Sequence, residues 1–275
     1  MTRTALVSLI KKRSSYLCVG LDTDTEKIPQ HLLQEDDPVF TFNRAIIDAT
    51  RELCVSYKIN TAFYEANGAA GWETMKKTVE YIGTEHFCIA DAKRGDIGNT
   101  ATQYARAFFE AMPFDAVTVA PYMGEDSVRP FLGYPGKWAI VLGLTSNPGA
   151  ADFEMLTVRD GKAAGTEEKL YERVLRSTAG WGEPGNLMFV VGATRAEAFE
   201  QVRRLVPDHF LLVPGVGTQG GSLKDISEKA MNADVGLLVN VSRGICYAST
   251  GKDFANAAKA AALQYRTEMK VYLNR

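Results

Sequence analysis

The chain of 275 residues is 46% hydrophobic and 23% charged, enough apolar matter for a large core and too little charge for a disordered chain. A formal net charge of -2 and a pI near 6.0 give no electrostatic reason to bind nucleic acid or an anionic membrane. No apolar run approaches the ~20 residues that span a bilayer, and residues 1–13 lack the apolar core and cleavage site of a secretory signal.

The first residues are amphipathic and end in Lys11-Lys12-Arg13, read as the exposed end of a first helix. Residues 16–21 predict a buried strand, with Asp22 directly after it. Asp37 reads as an N-cap with Pro38 at the first helical position. Phe42, Ile46, Ala49 and Leu53 then give that helix one apolar stripe. Residues 54–59 are strand-like and carry Lys58 near their end, and Trp72, Met75, Val79 and Ile82 share one face of a second helix that Gly83 closes.

A third strand over 87–90 runs into Asp91-Ala92-Lys93-Arg94-Gly95-Asp96, followed by a helix from Thr100 with Tyr104, Phe108 and Ala111 on its face. Side chains two apart on an extended chain share a face, so Asp91 and Lys93 are expected to point together and Arg94 away. Gly95 and Gly98 loosen the backbone, which lets Asp96 leave the strand direction.

Residues 116–120 predict a fourth strand, stopped by Pro121, with a short helix over 126–132. A fifth strand over 138–142 ends in Gly143-Leu144-Thr145-Ser146. Strands over 187–191, 209–213 and 235–241 complete eight, and helical patterns around Leu170 to Leu175, over 196–205 and over 223–231 separate them. The polar segment 147–166, with turn signals at Asp160-Gly161 and Gly165, exceeds the usual ~2–6-residue connection; a lid and a solvated insertion both fit.

Eight continuous apolar strands alternating with helices predict a parallel sheet covered on its outer side, in a length near the ~250 residues of a (β/α)8 barrel. An open doubly wound sheet is the alternative. No linker divides the chain, so residues 1–275 are expected to form one α/β domain, a TIM barrel. Cys18, Cys54, Cys88 and Cys246 lie far apart with no Cys-x-x-Cys spacing, which predicts buried reduced thiols in a soluble, cytoplasmic protein.

In such a barrel all strand carboxyl ends share one rim, and Asp22, Lys58, Asp91, Lys93, Ser146 and Arg243 fall there. Each alone could be an incidental loop residue; together they predict a site. Gly215, Gly217 and Gly220 fit Gly-x-Gly-x-x-Gly, but the unit sits seventh in the chain and its acidic residue, Asp234, precedes the next strand, so a dinucleotide fingerprint fails. Glycines after strand seven, followed by Ser242-Arg243-Gly244 after strand eight, suit the barrel's phosphate grip, and a ligand-free tight turn also fits. His31, His86 and His209 fall away from the rim, which speaks against a histidine base, a Ser-His-Asp triad or a histidine zinc site.

Seven blocks in order resemble the orotidine 5′-phosphate decarboxylase family, in its longer type 2 form with an extended loop after strand five. They are Val19-Gly20-Leu21-Asp22, Tyr57-Lys58-Ile59-Asn60, Asp91-Ala92-Lys93-Arg94-Gly95-Asp96-Ile97, Ala120-Pro121-Tyr122-Met123-Gly124, Thr145-Ser146-Asn147-Pro148-Gly149-Ala150, the run from Pro214 to Gly221, and Asn240-Val241-Ser242-Arg243-Gly244-Ile245. The resemblance implies decarboxylation of orotidine 5′-phosphate to uridine 5′-phosphate in pyrimidine biosynthesis, with no cofactor and no metal. It implies Lys93 as proton donor to C6, Asp91 facing the departing carboxylate, and Asp22 and Lys58 holding the ribose and completing the charged network. Ser146 would bond the pyrimidine edge, Gln219 and Arg243 would grip the phosphate, and Pro214 would begin the loop closing over it. Asp96, Ile97 and Thr100 would enter the neighbouring subunit's site, which implies a homodimer. A magnesium-dependent sugar-phosphate decarboxylase or aldolase of the same barrel superfamily, and a non-catalytic nucleotide-phosphate binder, are the alternatives.

Overall fold

In this computed structural model, residues 1–159, 167–217 and 220–274 are described. The strands are β1 (Leu17–Gly20), β2 (Ser56–Asn60), β3 (Phe87–Arg94), β4 (Ala116–Val119), β5 (Trp138–Leu144), β6 (Thr157–Arg159), β7 (Glu167–Lys169), β8 (Leu187–Val191), β9 (Phe210–Pro214) and β10 (Leu237–Val241). All but β6 and β7 close, in the order β1-β10-β9-β8-β5-β4-β3-β2, into a barrel whose neighbours are parallel. The (β/α)8 architecture is the one expected from the alternation, and the open sheet is excluded by the pairing of β1 with β10. β6 and β7 form an antiparallel ribbon beyond the barrel.

Each barrel strand is covered inside by its opposite numbers and outside by helices, which is why the strands read as unbroken apolar runs. The helices are α1 (Arg3–Arg13), α2 (Pro38–Thr50), α3 (Ala62–Glu65), α4 (Gly68–Ile82), α5 (Gly98–Phe109), α6 (Glu125–Leu132), α7 (Ala150–Phe153), α8 (Leu170–Ala179), α9 (Phe199–Leu205), α10 (Leu223–Ala230), α11 (Arg243–Cys246) and α12 (Phe254–Leu273). Asp37 caps α2 by accepting from the Phe40 N–H at 3.0 Å, with Pro38 first in the helix. Gly83, at φ +71, ends α4 in a conformation that favours glycine.

Three barrel strands start on a large aromatic side chain. Phe87, Trp138 and Phe210 open β3, β5 and β9, and their rings meet edge-on inside, Phe87 to Trp138 at 5.9 Å and Trp138 to Phe210 at 6.3 Å. Three alternate barrel strands thus fill one interior layer and floor the barrel at its amino end. The open end is left to the strands' carboxyl termini.

Several boundaries differ from the sequence expectation. β3 runs four residues past Ala90, α5 starts at Gly98 ahead of Thr100, and the segment after β5 is not irregular throughout: it contains α7 and the β6–β7 ribbon. The turn signals Asp160-Gly161 and Gly165 lie outside the described residues. Helix α12 had no sequence forecast because its buried stripe, Phe254, Ala258, Ala262 and Met269, is half alanine and so weakly apolar. Arg13 is not merely exposed; it donates to the Cys54 carbonyl and meets the His86 ring. The four cysteines are free and buried, as expected.

His86 and His209 precede β3 and β9 at the floor, with exposures of 0% and 7%. Burial lowers both to a pKa of about 4, reinforced by the nearby charges of Arg13 for His86 and Arg3 for His209. The unfolded chain therefore binds more protons than the folded one between about 4 and the ordinary 6.5. Stability should fall as pH drops through that window, seen as a shrinking urea midpoint, and His209→Phe should flatten the slope.

Candidate active site

The barrel register sets the first contacts. Gly20 of β1 pairs with Lys58 of β2, and Asn60 of β2 pairs with Asp91 of β3, so Asp22, Lys58 and Asp91 arrive at one level of the rim. Lys58 Nζ donates to Asp22 Oδ1 at 3.0 Å and to Asp91 Oδ2 at 2.8 Å. Lys93 Nζ donates to the other oxygen of Asp91, Oδ1, at 2.7 Å. Asp91 is thus a carboxylate held from both sides by ammonium groups.

The two lysines differ in access. The Lys58 side chain is 4% exposed and the Lys93 side chain 49%, with Asp91 between them at 12%. Burial alone would strip the proton from Lys58, but Asp22 and Asp91 outweigh it and raise its pKa. Burial likewise pushes Asp91 up, yet Lys58 and Lys93 hold it well below the usual carboxylate range. Both groups stay charged at neutral pH. Lys58 is sealed beneath the network, and Lys93 is the cation that a ligand can reach.

The network opens into a cavity of about 530 Å³, lined by Asp22, Lys58, Asp91 and Lys93 on one side and Pro214, Gly215 and Arg243 on the other, with Leu142, Val190 and Leu212 between. That volume is in the range of small-molecule sites. An adjoining hollow shares Lys93, Leu142, Val190 and Pro214 and adds Ser146, so one ligand can span both. Gly192 makes room for Ser146: a Cβ there would sit 2.7 Å from Ser146 Oγ.

The glycines after β9 are in the left-handed region, φ +100 at Gly215, +77 at Gly217 and +90 at Gly220. Gly217 N–H donates to the Gly221 carbonyl and Gly221 N–H to the Gly215 carbonyl, each at 3.1 Å, and Gly215 lines the cavity together with Arg243. Gln219 lies outside the described residues.

Three expected residues stand apart from the cavity. Asp96, Ile97 and Thr100 do not line it within this chain; Asp96 Oδ1 accepts instead from the Ile97 N–H at 2.8 Å, and Ile97 is 53% exposed. Among the described residues Lys93 pairs with Asp91 and not with Asp96. Asp91 and Lys93 do point together, but not through the alternation of a regular extended strand. The strand is not regular there, because the β3–β4 register shifts between Ala90 and Arg94 and Lys93 takes φ +48. Arg94 does turn away, over the rings of Tyr104 and Phe108 on α5 and against Glu65.

Sequence reasoning missed three supports. Ser242 Oγ donates to Asp22 Oδ2 at 2.8 Å, and only a glycine at position 20 permits this, since a Cβ there would meet Ser242 Oγ at 1.8 Å. Tyr247 Oη donates to the Asp22 carbonyl and accepts from the Asp24 N–H. Thr118 reaches both Asp91 and Lys93. A lone threonine in the apolar β4 was the available signal for the last.

Replacing Lys58 by Ala leaves two carboxylates at the floor of the network without their common cation. The unfolding free energy should drop by about 3–5 kcal/mol in denaturant titration, the usual cost of breaking a buried pair from one side.

A family model described as Orotidine 5′-phosphate decarboxylase / HUMPS family matches residues 15–261. The chain is 55% identical over 274 residues to an orotidine 5′-phosphate decarboxylase of Porphyromonas gingivalis, covering 98% of this chain and 97% of that one. It is 53% identical over 272 residues to the enzyme of the same name from Bacteroides fragilis, with the same coverage. Among solved structures, the OMP decarboxylase of Leishmania donovani matches with a TM-score of 0.82 at 35% identity, covering 98% of this chain and 100% of that chain.

Proposed function

The chain belongs to the orotidine 5′-phosphate decarboxylase / HUMPS family, and from that membership we propose that it converts orotidine 5′-phosphate to uridine 5′-phosphate and carbon dioxide. The observation that carries the reading is the Asp91 carboxylate gripped by Lys58 and Lys93 at the floor of a cavity whose far side holds Arg243 and the glycine loop.

The chemistry needs that arrangement. When the C6–carboxylate bond breaks, its electron pair stays on C6 in an sp² orbital that no ring system can absorb. Stabilisation must then come from charge already in place. Lys93 Nζ supplies the positive charge and transfers its proton to C6, and the bound carbon dioxide departs. Lys93 regains a proton from water, beside an Asp91 that Lys58 keeps anionic. Asp91 also repels the substrate carboxylate more than the neutral product. Enzymes lower most barriers by up to about 23 kcal/mol, and one cation cannot supply so much. Phosphate contacts from Arg243, Gln219 and the loop from Pro214 therefore help orient the ring, with Ser146 bonding its edge and Asp22 the ribose.

The alternative is a magnesium-dependent reaction on a sugar phosphate. Against it, the Lys58 ammonium fills the space between the Asp22 and Asp91 carboxylates. Against a mere phosphate binder, two carboxylates around a lysine serve no binding purpose for an anion.

A homodimer is part of the proposal. Asp96, Ile97 and Thr100 lie outside the chain's own cavity, and Ile97 at 53%, Met123 at 49% and Tyr122 at 89% exposure give the adjoining loops an apolar face that a second copy would cover. The buried free thiols suit a reducing cytoplasm, and among the described residues no helix is long and apolar enough to cross a membrane.

Metal-free protein given orotidine 5′-phosphate should lower the pyrimidine absorbance at the same rate with and without excess chelator; loss of activity restored by magnesium would favour the sugar-phosphate reading. Lys93→Ala should fold, bind uridine 5′-phosphate and lose turnover by several orders of magnitude in the same assay. Mixed with Asp96→Ala it should recover activity once subunits exchange, since one site in each hybrid is complete.

A further inference from the structure

Between the Ala90–Val117 and Arg94–Val119 pairs, three residues of β3 face a single residue of β4. Those three are Asp91, Ala92 and Lys93, and the one opposite is Thr118. Such a bulge breaks the ladder and bends the strand, a device found beside active sites because it re-aims side chains. Here it also forces Lys93 to φ +48, a left-handed conformation costly for a residue with a Cβ. Something must hold the backbone there.

Thr118 is fully buried, and its Oγ1 lies 2.9 Å from the Lys93 nitrogen and 3.0 Å from Asp91 Oδ1. The directions of both bonds are fixed by chemistry. A carboxylate only accepts, so the single hydroxyl proton goes to Asp91; the lone pair left over accepts the Lys93 N–H. That N–H would otherwise have lost its ladder acceptor to the bulge. One hydroxyl therefore ties the backbone of the exposed lysine to the carboxylate that its own side chain grips at 2.7 Å.

We propose that Thr118 is a positioning residue for the reaction: its hydroxyl pins the β3 bulge, so that Lys93 and Asp91 are held as one rigid unit facing the substrate. It touches no substrate itself. A valine there would keep the shape and remove the link. The inference rests on the reading of Lys93 as proton donor, and one of its tests does not.

Thr118→Val should lower kcat about 10²-fold, the scale of a misplacement of roughly 1 Å, with KM and uridine 5′-phosphate affinity changed less than about threefold. Thr118→Ser, which restores the hydroxyl, should recover kcat to within about threefold of the natural protein, and Thr118→Ala replaces the valine variant if that one does not fold. Independently of turnover, hydrogen exchange at the Lys93 amide should be slow in the natural protein and in Thr118→Ser, and at least about tenfold faster without the hydroxyl. Equal exchange in all variants, or a valine variant with undiminished kcat beside an active natural protein, would overturn the proposal. An inactive natural protein with the exchange difference intact would instead overturn the decarboxylase reading and leave the pinned bulge standing.

Discussion

One carboxylate shared by two ammonium groups is the constraint on which the rest of the site depends. Asp91 is deep enough that, unpaired, it would take up a proton; Lys58 beneath it prevents this, and Lys93 above it is thereby kept beside a fixed negative charge. The pair of lysines divides the work by access. The sealed one is a permanent counter-ion, and the open one faces the cavity.

The barrel exists, in this respect, to bring such groups together. Asp22, Lys58, Asp91 and Ser242 are separated by up to 220 residues in the chain, yet they form a run of hydrogen bonds between 2.8 and 3.0 Å. Parallel closure puts every strand's carboxyl end on one rim, and the aromatic floor of Phe87, Trp138 and Phe210 leaves that rim as the open end. Glycines then admit what ordinary residues would block. Gly20 lets Ser242 reach Asp22, and Gly192 lets Ser146 settle beside it.

Part of the chain's irregular backbone lies at the same place. The β3 bulge with its left-handed Lys93 and the positive-φ glycines after β9 flank one cavity, while the lower strands are regular and buried on both faces. Strain of this kind persists only where the surroundings over-determine it. A rigid lower barrel and a locally distorted rim are complementary parts of one design.

Sequence alone determined the eight-strand alternation, the α2 cap at Asp37 and Pro38, the end of α4 at Gly83, and the clustering of Asp22, Lys58, Asp91 and Lys93 at one rim. These are local signals: periodicity, cap chemistry and the polar residue that follows an apolar run. Helix α12 escaped because alanine leaves little periodic contrast, and the bulge escaped because nothing in Asp91-Ala92-Lys93 distinguishes it from a plain strand. Only the tertiary structure decided which oxygen each lysine takes, that Ser242 and Thr118 complete the carboxylates, and that Asp96 stays clear of its own chain's cavity. Such pairings depend on strand register and barrel closure, which bring together residues whose local sequences carry no trace of one another.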